Sequence, residues 1–90
     1  MNHPEIPKDC SNFVNHEGVW RFRTTGVLGG FPIDRKDLLP GSRFTVACVA
    51  EVAWRKEAER FGSPSPSGED FDRYHECCVN ADAWRKWGEQ

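Results

Sequence analysis

The chain reads as an α+β domain, a short antiparallel β-hairpin packed against two C-terminal helices that form a helical hairpin. Residues 18–24 alternate inward and outward side chains at the period of a strand, and two later segments repeat apolar residues at the period of a helix. Breaks rich in glycine, proline and serine separate these segments. With 90 residues there is one domain, because a chain this short cannot bury two independent cores.

Residues 1–12 hold Pro4, Pro7, Asn2 and Asn12 without a periodic apolar pattern, which predicts an irregular arm and a loose end. The hairpin is expected over 18–34. In its first strand Trp20, Phe22 and Thr24 face one side, and Val19, Arg21 and Arg23 face the other. Gly26, Gly29 and Gly30 permit the reversal, and Phe31-Pro32-Ile33-Asp34 returns as a second strand. Pro32 lacks a backbone donor and places that strand at an edge.

Ser42 is the expected N-cap of a helix over 43–61, with Gly62 ending it. On a helical wheel Phe44, Val46, Ala47, Cys48, Ala50, Trp54, Ala58 and Phe61 make one wide apolar arc, with Val49 and Val52 outside it. A Pro/Ser loop over 62–68 stops the chain. Ser67 or Gly68 then opens a second helix over 69–87, whose early acids suit its positive N-terminus. Its expected inward stripe is Phe71, Tyr74, Cys77, Cys78, Ala81 and Trp84.

The two helices carry a near-repeat. A shift of thirty positions places Phe44 on Tyr74, Cys48 on Cys78, Val49 on Val79, and Ala53-Trp54-Arg55-Lys56 on Ala83-Trp84-Arg85-Lys86. Leucine and isoleucine are scarce, whereas there are 6 Phe, 4 Trp and 1 Tyr, so aromatic rings must supply much of the core.

No apolar run is long enough for a membrane span, and the N-terminal residues lack the basic and apolar regions of a secretory signal. A cytoplasmic location follows as the expectation, with the 4 cysteines as free thiols. His75, Cys77 and Cys78 are clustered, with Cys10, His16 and Cys48 available to complete a set. Neither Cys-x2-Cys nor His-x3-His spacing occurs, and adjacent helical cysteines diverge, so no metal is expected. Pairings such as Cys10 with His16 lack any nucleophile signature, and the Gly26-to-Gly30 turn lacks the residues of a phosphate or dinucleotide loop. Neither a catalytic site nor a cofactor is expected, and a small metalloprotein or enzyme ranks third among the functional readings.

Charge is uneven. The net value is -2, yet residues 18–43 are basic, with Arg21, Arg23, Arg35, Lys36 and Arg43 against Asp34 and Asp37. Both flanks are acidic. Such a patch steers an anionic partner at short range, within about 8 to 10 Å at physiological salt. Arginine and tryptophan dominate binding hot spots, which adds Arg55, Arg85 and Trp87 as partner contacts wherever they are exposed. The first expectation is therefore a stoichiometric binding protein acting on a protein or a protein–nucleic acid complex. In size and lack of motifs it resembles the short inhibitors and accessory proteins of phages and mobile elements, a resemblance that assigns no residue a role. The second is a nucleic-acid-binding module that uses the basic residues of 21–43, with arginines on phosphates and exposed aromatics on bases.

Overall fold

A computed structural model describes residues 3–23, 30–62 and 68–89. Three strands, β1 (Phe13–His16), β2 (Val19–Phe22) and β3 (Phe31–Pro32), precede two helices, α1 (Pro40–Gly62) and α2 (Glu69–Gly88). The strands form one antiparallel sheet in the order β1-β2-β3, and the two helices pack against each other. The α+β class stands. Thr24, Gly26, Gly29 and residues 63–67, including the alternative cap Ser67, lie outside the described residues.

The pairing expected between residues 18–24 and the segment at 31 is present, with Arg21 opposite Pro32 and Phe22 opposite Phe31. A strand not expected from the sequence, β1, lies on the other side of β2 and makes β2 central. Phe13 stands opposite Phe22 and His16 opposite Val19. Glu17 and Gly18 make the two-residue turn with positive φ at both positions, 53° and 83°, the backbone twist that closes a tight hairpin. The Asn15 Oδ1 accepts the Gly18 N–H at 3.2 Å. Beyond the strand ends, the Arg23 N–H reaches the Asn12 carbonyl at 2.8 Å and the Ile33 N–H reaches the Trp20 carbonyl at 3.1 Å.

Helix α1 begins at Pro40, earlier than the expected Arg43. Proline suits a first turn because the amide it lacks has no partner there. The Arg43 N–H closes that turn on the Leu39 carbonyl at 3.0 Å, so Ser42 lies within the helix and does not cap it. Helix α2 starts where expected, after Gly68, whose φ of 59° suits a residue without a side chain.

The buried faces keep most of each expected stripe and lose Phe44, Cys48, Phe71 and Tyr74. In α1 the buried residues are Val46, Ala47, Ala50, Trp54 and Ala58, while Phe44 is 62% exposed and Cys48 lies in solvent. In α2 they are Cys77, Ala81, Trp84 and Trp87, with Phe71 and Tyr74 exposed. The near-repeat thus keeps its tryptophans inside and its leading aromatics outside. Small residues let the helices come close at one end, where a Cβ on Gly88 would overlap that of Ala47. Val49, expected outside the arc, is half-buried against the core.

Aromatic rings do join the layers. Phe13 lies 5.4 Å from Phe22 and 5.7 Å from Trp84, and Trp84 meets Trp87 edge-on at 5.1 Å. The arm is irregular, as expected, but it is not a loose end. The Glu5 carbonyl accepts the indole N–H of Trp54 at 3.0 Å and that of Trp84 at 2.7 Å, while Ile6 packs against the core.

Two substitutions test these constraints in urea denaturation. Glu17→Asn suits the left-handed turn better and raises stability by up to about 1 kcal/mol. Gly88→Ala lowers it by about 1–3 kcal/mol, and adding Ala47→Gly recovers part of the loss.

Candidate functional site

The residues singled out for partner binding fall into separate groups. Arg35, Lys36, Arg43 and Trp87 line one open cleft of about 640 Å³, where the arm, the segment after β3, the start of α1 and the end of α2 converge. His3, Asp34 and Lys86 line it as well. Arg21 and Arg23 sit elsewhere, beside Val14 and His16 on the outer face of the sheet. Arg55 bridges the helices, with its guanidinium 3.0 Å from Glu51 and 3.4 Å from Asp82. Arg85 is exposed, 3.8 Å from Glu89. Trp87, a contact only if exposed, is 4% exposed and belongs to the core.

Within the cleft the cations differ in freedom. Arg35 holds both Asp37 carboxylate oxygens, at 2.9 and 2.7 Å, and this hydrogen bonding keeps the Asp37 carboxyl below its ordinary pKa. The Arg43 Nε donates to the Trp87 carbonyl at 2.8 Å, and its guanidinium lies 4.0 Å from the center of the Trp87 ring. Cation–π contact and hydrogen bond together fix this side chain across the helix ends. Lys36 and Lys86 are exposed and have no ion-pair partner among the described residues. The cleft therefore has a floor set by Trp87 and Arg43 and a rim of unneutralised ammonium groups.

Comparison with family models, curated proteins and solved structures finds no match. The arrangement itself has to carry the functional argument. Lys86 and His3 were not singled out in the sequence. Lys86 closes the Ala-Trp-Arg-Lys repeat, whose pattern bears on packing, and His3 lies in a segment with no periodicity to place it.

A second cleft of about 560 Å³ separates the arm from α1, lined by Lys8, Cys10, Cys48, Val52, Lys56 and Glu57 among others. Its charges are mixed in sign. Among the described residues no three His, Cys, Asp or Glu side chains converge as metal ligands, and Cys10, Cys48, Cys77 and Cys78 are free. No described helix is long and apolar enough to cross a membrane.

The thiols differ in reactivity by position. Burial pushes the Cys77 pKa up, and the carboxylates of Glu57 and Glu76 add to the effect. The thiolate is the reacting form, so Cys77 is held in its inert state. Brief alkylation with iodoacetamide at neutral pH, read by peptide mass spectrometry, labels the exposed Cys48 first and Cys77 last. Unfolding in urea removes the difference.

Proposed function

We propose that the protein is a non-enzymatic cytoplasmic binding protein that acts stoichiometrically on a protein partner, as inhibitors and accessory proteins of the phage type do. Its contact site is the basic cleft, and the feature it takes is an acidic segment of the partner. The one-sided charge of the cleft supports this reading. Arg35, Lys36, Arg43 and Lys86 face a single lining carboxylate, Asp34. Carboxylates brought against such a rim gain from guanidinium and ammonium groups together, and the low-dielectric wall of Trp87 and Ile33 strengthens the field.

Nucleic acid is the second reading, favored by Arg21 and Arg23 on the outer face of the sheet. Trp20 and Phe22 of the same strand contribute to the core side, which removes them as stacking platforms for bases. The acidic segment is therefore preferred.

Titration of the protein with a short oligo-aspartate peptide and with single- and double-stranded DNA, at ~50 mM salt, separates the two readings. The peptide is expected to bind, and Lys36→Glu with Lys86→Glu is expected to weaken it at least about tenfold while leaving thermal stability unchanged. Absence of peptide binding, or DNA binding abolished by Arg21→Glu with Arg23→Glu, overturns the preferred reading.

A further inference from the structure

The arm seats His3 beneath the basic cleft, with its side chain 5% exposed. The ring lies nearly parallel to the Trp84 indole, 13° from coplanar with centroids 6.0 Å apart. Nδ1 is 2.7 Å from the Pro4 carbonyl oxygen, and Nε2 is 3.2 Å from the Asp34 Oδ1. Both oxygens can only accept, because one is a peptide carbonyl and the other an ionised carboxylate. A neutral imidazole carries one N–H and an imidazolium carries two. The Pro4 contact is a hydrogen bond and the Asp34 contact an ion-pair distance, which attracts only when the ring is an imidazolium. A neutral ring keeps its Nδ1–H on Pro4 and loses the charge attraction to Asp34.

From this geometry we infer that the cleft is a proton-linked site, in which protonation of His3 closes the arm onto Asp34 and strengthens the binding of a carboxylate-rich segment. The ligand half of the inference rests on the acidic-segment reading above, while the arm half stands on the His3 contacts alone. The charged groups around His3 come from every neighboring element. Asp34, Arg35 and Lys36 lie between β3 and α1, Arg43 is on α1 and Lys86 is on α2. Asp34 carries the charge opposite to an imidazolium, Lys36, Arg43 and Lys86 carry the same charge, and Arg35 is paired with Asp37. A bound carboxylate neutralises those cations, so ligand binding draws a proton onto His3. By reciprocity the proton raises ligand affinity by the same factor.

The test combines thermal melts and oligo-aspartate titrations between about pH 5 and pH 8, where histidine changes charge. Aspartate is ionised throughout that range. In the wild type, Tm is expected to fall by roughly 4 to 8 °C toward the alkaline end, and peptide affinity is expected to fall about fivefold. Asp34→Asn removes the charge that distinguishes the imidazolium from the neutral ring, so both profiles flatten. His3→Phe keeps a ring against Trp84 and also gives flat profiles. His16→Gln with His75→Gln changes the other histidines and retains the wild-type slopes. A wild-type slope that persists in Asp34→Asn, or vanishes in the His16/His75 variant, overturns the clasp. Peptide bound equally at every pH overturns the linkage. Peptide bound at no pH removes the acidic-segment reading and the ligand half with it, while the melts still decide the arm half.

Discussion

One peptide carbonyl, that of Glu5, accepts the indole N–H of both Trp54 and Trp84, and the packing of the helices is arranged around it. A buried indole needs an acceptor for its N–H. Among the described residues no polar or charged residue is wholly buried in the core, and a main-chain oxygen serves instead. The arm provides it. Pro4 and Pro7 flank the position and cannot donate to the main chain themselves, while Ile6 anchors the stretch against the apolar interior. The same requirement, repeated thirty residues apart, is the structural content of the near-repeat. Its tryptophans converge on a shared acceptor, whereas its phenylalanine, tyrosine and first cysteine face outward.

Much of the architecture was legible because it rests on periodicity. The alternation of Trp20 and Phe22 with Val19 and Arg21, the edge placement of Pro32 and the two long helices follow from it. Strand β1 was hidden because Phe13 is its single buried side chain and its turn uses Glu17-Gly18, which lacks the Asn or Asp usual at such turns. The helix faces follow the wheel at most positions and depart from it at Phe44, Cys48, Phe71 and Tyr74. A wheel weights large apolar residues such as Phe44 and Phe71, but at one end the helices approach through Ala47 and Gly88, where small residues let them come close. Trp87 moved the other way, from expected rim to actual core.

The site was legible only in part. Arg35, Lys36 and Arg43 belong to a basic segment visible in the sequence, and they do share a cleft. Lys86 and His3 join them from opposite ends of the chain, a proximity that only tertiary packing creates. Surface arginines elsewhere are engaged in exposed pairs such as Arg60 with Glu57, which contribute little to stability. Two unpaired lysines beside a fixed arginine therefore stand out more in the folded molecule than the segment charge suggests.

The bond from Trp84 to Glu5 spans 79 positions of sequence. The acceptor therefore leaves the ribosome 79 residues ahead of the donor. Helix α1 and the hairpin can form earlier from local contacts, yet the interior stays open until α2 arrives and the arm is laid between the helices. Joining segments this far apart last adds loop-closure cost and slows folding. Fragments that stop before Trp84 have no means of completing this interior, so apolar rings stay exposed until that residue has emerged, and aggregation is the hazard until then.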